Sequence, residues 1–180
     1  LFLVWNLFLA AIPYGITFLI QLRKNWFTSK WVKVGTFLFW LLFLPNAPYI
    51  VSDFTHLQWT SQKFIFLDTA IITCFSLLGL LYMVYSIKDM QEAFLNTLSR
   101  KQHLLFLISL CILLGFGIYL GRYLRWNSWD IMRNPIALLY DISQILIHPI
   151  QNKIAWIITG VYATLSGFSI IIINRYRGIQ

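Results

Sequence analysis

Charge is the first thing this chain is short of. Charged residues make up 11% of its 180 positions, where soluble domains carry about a quarter, and a solvated globular surface cannot be assembled from so few. Acids are scarcer than bases, six Asp and Glu against fourteen Lys and Arg. There are only two cysteines, Cys74 and Cys111, each inside an apolar run. A thiol there behaves as a small hydrophobe, so neither a disulfide framework nor a redox motif is expected. The chain has three histidines with no HxxxH pair, and it has no CxxC, Gly-rich phosphate loop or GxSxG elbow. The usual sequence signatures of zinc, redox, nucleotide and acyl-transfer sites are therefore missing, as are paired histidines for axial haem ligation.

Hydrophobic residues fill the space, at 59% of the chain, with aromatics at 18%. They fall into five runs of roughly the length a bilayer core demands, about 20 residues: 1–20, 34–50, 64–87, 104–120 and 154–174. The expected fold is an all-α polytopic helical membrane bundle, one integral membrane domain over 1–180. An amphipathic interfacial helix is expected over 135–148, with Asn134-Pro135 as cap and first helical residue, Leu138, Ile142, Ile145 and Leu146 on its apolar face, and Asp141, Gln144 and His148 on its polar one. The connection 88–103 has the spacing of a short surface helix through Met90, Phe94 and Leu98. The chain starts Leu1-Phe2-Leu3 without a methionine or a signal-peptide pattern, as expected of one that enters in mid-protein, and one further span upstream would make six.

The formal charge of +8 does not indicate nucleic acid, because the cations sit in short clusters between apolar runs. Arg23, Lys24, Lys30, Lys33, Lys88, Arg100, Lys101, Arg175 and Arg177 fall on one side of the expected topology, and Lys63, Arg122, Arg125, Arg133 and Lys153 on the other. The richer side is expected to be cytoplasmic, with the C-terminus inside and, for a bacterial chain, the inner membrane as location. Trp5, Trp59, Trp126, Trp129 and Trp156 then form one interfacial belt, with Trp26 and Trp31 in the other.

Under that topology the unusual polar residues collect at the extracytoplasmic end: Asn6, the stretch 46–56, Asp68 and the run 122–130. If the second span continues helically through Pro45 and Pro48, then Asn46, Tyr49, Asp53 and His56 lie within about 80° of one another. Each proline frees a carbonyl about four residues upstream, which a side chain must satisfy in a membrane, and Asn6 is a candidate for that. Asp68, inside the third span, needs a cation or a proton. Arg122 and Arg125 are its expected partners, with Asp130 and Trp129 beside them.

Three functions follow from these residues. The first is non-catalytic binding of a small solute, ion or lipid headgroup by an extracytoplasmic pocket of Asn6, Asn46, Tyr49, Asp53, His56, Asp68, Arg122, Arg125, Trp129 and Asp130, with no cofactor. The second is a zinc-dependent intramembrane hydrolase acting on a lipid-like substrate, with His56, Asp53, Asp68 and His148 as ligands. The spacing of Ser52, His56 and Asp68 distantly resembles the alkaline-ceramidase-like hydrolases, though their HxxxH pair is missing. The third is a structural or assembly subunit. Membrane lipids are the expected partners, with self-association through Gly117 and Gly121, a GxxxG pair, and Ala163 and Gly167.

Three segments carry a family resemblance. Trp5-Asn6-Leu7-Phe8-Leu9-Ala10, then Leu44-Pro45-Asn46-Ala47-Pro48-Tyr49 with Asp53 and His56, then Gly121-Arg122 with Arg125-Trp126-Asn127-Ser128-Trp129-Asp130 resemble, in order, the signature segments of the bacterial membrane family catalogued as domain of unknown function 1361. The resemblance implies a multi-pass bacterial membrane protein and brings no activity, substrate or cofactor.

Overall fold

The computed structural model describes residues 2–177. Leu1, where the first expected span begins, lies outside the described residues, as does the C-terminus itself. Every regular element among the described residues is helical: α1 (Phe2–Leu22), a 3₁₀ turn (Lys24–Phe27), α2 (Lys30–Phe43), α3 (Asn46–Tyr49) running into a 3₁₀ segment (Ile50–Trp59), α4 (Ile65–Phe94), α5 (Arg100–Arg122), α6 (Asp130–Arg133), α7 (Pro135–Ile147) and α8 (Lys153–Arg177). Five stretches are long and apolar enough to cross a membrane: α1, the continuous unit Lys30–Trp59, α4, α5 and α8. The chain is a helical membrane bundle. One end collects the start of α1, the close of the 3₁₀ segment, the end of α5 and the α6–α7 region, and we call it the polar end. The opposite, basic end holds the α1–α2 and α4–α5 connections.

Two boundaries depart from the sequence expectation. No surface helix forms in the connection 88–103, because α4 continues to Phe94 and leaves a turn of only five residues. Core packing drives the extension, with Ile87 and Met90 buried against neighbouring helices and Phe94 packed on the same cluster. α5 then starts four residues earlier than expected, because Ser99 and Gln102 form a capping box that satisfies two of the orphan donors at a helix start.

The third departure is the second span, which does not finish at Ile50. Pro45 lacks the N–H that would bond back into α2, so the helix breaks at Leu44, makes one turn as α3, and tightens into the 3₁₀ segment as far as Trp59. This broken piece wedges between α1, α4 and α5. Trp40, just before it, is fully buried and donates Nε1–H to Ser86 Oγ on α4 at 2.6 Å. Leu44, Ala47 and Ile50 have no exposed surface.

Glycines make that wedge possible. A Cβ at Gly79 of α4 would overlap the carbonyl oxygen of Ala47, and one at Gly117 of α5 would sit 2.7 Å from Pro45 Cγ. A Cβ at Gly121 would lie 3.3 Å from the Tyr49 ring. On its other side α5 packs along α8, where Gly115 lies against the Thr159 carbonyl and Ala163, and a Cβ at Gly167 would lie 3.8 Å from Cys111 Sγ. Gly117, Gly121, Ala163 and Gly167 thus have close neighbours within the chain, and close van der Waals fit of this kind is the main source of helix association in lipid.

α7 departs from a simple two-faced helix. Asn134 does not cap it through its side chain. Ile145 is buried against Tyr119 and Ala155, while Ile136, Leu139, Tyr140, Leu146 and Ile147 are exposed on the opposite side. A helix too short to span and apolar on both sides of a narrow polar stripe fits a position against the bundle with hydrocarbon on its outer face.

Candidate functional site

The 3₁₀ segment sets the geometry of the polar end. At about three residues per turn, positions i and i+3 eclipse, so Asp53 and His56 share one edge while Ser52 and Thr55 share the next. Asp53 has no exposed surface. Its Oδ2 accepts from Asn6 Nδ2 of α1 at 2.9 Å, and its Oδ1 accepts from Arg122 Nη1 of α5 at 3.1 Å. His56 Nε2 stands 3.7 Å from Oδ1, with its side chain 48% exposed and its ring against that of Phe2.

Arg122 binds far more than a carboxylate. Nη1 also reaches Tyr49 Oη at 3.5 Å, Nη2 donates to the Ser52 carbonyl at 2.9 Å and to Thr55 Oγ1, and the guanidinium lies over the Tyr49 ring. One guanidinium therefore clamps α3 and the 3₁₀ segment to the end of α5. A charge this close to hydrocarbon is costly alone, and pairing with Asp53 offsets that cost.

The remaining predicted residues go elsewhere. Asp68 does not meet Arg122 or Arg125. Because α4 starts at Ile65, Asp68 lies in its first turn, where the helix dipole favours a negative charge, and its Oδ2 accepts from Thr60 Oγ1 at 2.9 Å. Arg125 is exposed, has φ 61°, and makes no ion pair or side-chain hydrogen bond among the described residues. It turns the chain after α5. Asp130 closes its own loop by accepting from the backbone N–H and Nδ2 of Asn127 at 2.7 and 3.1 Å. Trp129 is the half-buried residue before α6.

Asn6 does not serve the helix break. Asn46 itself donates Nδ2–H to the Phe43 carbonyl at 2.8 Å and to Ser128 Oγ at 3.1 Å, and Ser128 donates to the Leu42 carbonyl at 3.1 Å. The orphaned carbonyls are thus closed by the residue after the first proline and by a serine 82 positions away.

His148 lies exposed at the end of α7. Among the described residues no three His, Cys, Asp or Glu side chains come together in a way that could hold a metal ion. The zinc set of His56, Asp53, Asp68 and His148 is not assembled, because Asp68 stays with Thr60.

One participant, Tyr162, was not foreseen, and Trp126 and Ser52 take places other than those expected. Tyr162 of α8 lies within electrostatic reach of Arg122, Asp53, Tyr49 and Tyr123. Its spacing of three and four from Thr159 and Ser166 on a helix of small residues was the available signal. Trp126 Nε1 donates to Asp141 Oδ2 at 2.9 Å, tying the loop after α5 to the polar stripe of α7. Ser52 Oγ is buried with no protein partner.

The arrangement holds an electroneutral pair rigidly and leaves one half-exposed imidazole and one unpaired hydroxyl beside it. No curated protein and no solved structure matches the chain. Residues 5–172 match the sequence profile of a family described as protein of unknown function (DUF1361), and with nearly the whole chain covered, this protein belongs to that family.

Proposed function

We propose that the chain is a non-enzymatic multi-pass membrane protein that binds a small solute, ion or lipid headgroup at its polar end. His56 and Ser52 meet the ligand, and the Asp53–Arg122 pair fixes their positions. One observation carries this reading. Asn6, Tyr49, Asp53, Thr55 and Arg122 are hydrogen-bonded to one another, whereas Ser52 Oγ is buried with no partner among the described residues, four positions before the half-exposed His56. A buried unsatisfied hydroxyl costs about 1–3 kcal/mol, which a polar ligand reached past His56 would recover.

The cation distribution supports an orientation with the polar end outside and the C-terminus in the cytoplasm, which for a bacterial chain is the inner membrane. Thermal unfolding of the detergent-purified chain, with and without short-chain phosphatidylglycerol or phosphatidylethanolamine, tests the proposal. At about a hundredfold excess over Kd, a ligand of the folded state adds about 2.7 kcal/mol. The parent Tm is expected to rise with at least one lipid, and the rise to disappear in His56→Ala and shrink in Ser52→Ala. Equal shifts in parent and variants, or none in any, would remove the reading.

A further inference from the structure

A second polar site lies at the basic end, remote from Asp53 and Arg122. The turn between α4 and α5 and the last turns of α8 enclose a cleft of about 550 Å³ lined by Lys88, Gln91, Glu92, Asn96, His103, Leu107 and Asn174. That volume lies in the range of small-molecule sites, about 300–1,000 Å³. Helix length produces it: α4 outruns the expected span by two turns and carries Lys88, Gln91 and Glu92 past the apolar layer on one side.

Its chemistry favours an anion. Three amides, an ammonium and an imidazole line the cleft against one carboxylate. That carboxylate, Glu92, is met by Lys88 Nζ at 3.6 Å, so the two charges offset each other and the amides carry the preference for an acceptor. Gln91 lines the cleft, and its Nε2 has no hydrogen-bond partner among the described residues, so its amide is not committed elsewhere and can donate to an occupant. His103 stands in the first turn of α5, so the positive end of that helix dipole is at the rim. Arg100 and Lys101 stand in the same turn.

We propose that this cleft binds a small anion through phosphate or carboxylate oxygens, with Gln91 as its principal donor and the Lys88 ammonium shared between the anion and Glu92. The same oxygens are carried by free solutes and by anionic lipid headgroups, and the test separates these sources. The full chain is placed in nanodiscs of phosphatidylcholine, and inorganic phosphate and succinate are titrated by calorimetry. The titrations are repeated in discs containing phosphatidylglycerol.

Saturable binding of either anion in the phosphatidylcholine discs is expected, weakened at least tenfold in Gln91→Leu and in Asn96→Asp. The second substitution is on an exposed turn residue and places a negative charge at the cleft without disturbing helix packing, so it remains informative if Gln91→Leu folds poorly. Gln62→Ala, on an exposed loop residue beside the polar end and outside both proposed sites, should bind as the parent does. Competition by phosphatidylglycerol identifies a headgroup as occupant, and its absence a free solute. No saturable binding in phosphatidylcholine discs, or binding unchanged in both Gln91→Leu and Asn96→Asp, overturns the proposal.

Discussion

A carboxylate with no exposed surface has to be neutralised where it stands, and Asp53 depends on Arg122 and Asn6 for that. Arg122→Gln therefore leaves a buried charge without its counter-ion, a loss of about 3–5 kcal/mol when one partner of such a pair is removed. Asp53→Asn with Arg122→Gln should cost less than the sum of the single changes, because neither charge is then stranded. Arg122→Lys should recover only part of the stability, since one ammonium cannot reach Asp53, Tyr49, Ser52 and Thr55 together. Thermal unfolding of the four variants in one detergent checks all three expectations, and parent-like stability in Arg122→Gln would show that the clamp is dispensable. Much of this cluster was legible in the sequence. Asn6, Tyr49, Asp53, His56 and Arg122 are polar residues on apolar spans whose positions fall at one end of any alternating topology. The pairing was not legible, because it turns on a contact from outside the span: Thr60, in the segment before α4, serves Asp68 together with the helix dipole, and Arg122 is left for Asp53.

Among the elements, the broken second span decides how tightly α4 and α5 can approach. Its prolines announced the break, but nothing local in the sequence identifies Gly79 as the position that admits the Ala47 carbonyl. A lone glycine in an apolar run is common, and its partner here is 32 residues earlier in the chain. Gly79→Ala should destabilise by about 1–3 kcal/mol, because the added methyl meets backbone and cannot be relieved by a rotamer change. Gly15→Ala and Gly35→Ala supply the contrast. No atom lies within 4 Å of a Cβ built at either, so the gain in helix propensity, about 0.5–1 kcal/mol, should emerge as a small rise in Tm. If Gly79→Ala is as well tolerated as these two, the close approach of α3 to α4 is wrong. The 3₁₀ segment was hidden for a related reason. Residues 52–63 read as a polar connection by composition, yet Ser52 and Asp53 are buried because Arg122 and Asn6 arrive from other helices to meet them.

At the scale of the molecule, the two ends differ in charge more than in shape. Five cations at the polar end stand beside four acids, Asp53, Asp68, Asp130 and Asp141, whereas nine at the basic end stand beside only Asp89 and Glu92. Only Lys and Arg weigh in setting orientation, and on that count the basic end belongs in the cytoplasm. The five crossings themselves were legible, because a run of about 20 apolar residues has few other uses. Which membrane face each end meets rests on the cation bias alone and is open to a direct measurement. In a background carrying Cys74→Ala and Cys111→Ala, single cysteines are placed at the exposed loop positions Gln62, beside the polar end, and Thr97, in the turn between α4 and α5. A membrane-impermeant maleimide added to intact cells should label Gln62→Cys and should reach Thr97→Cys only after permeabilisation. The opposite pattern would turn the molecule over, placing the His56 site in the cytoplasm and exposing the Gln91 cleft to the outside.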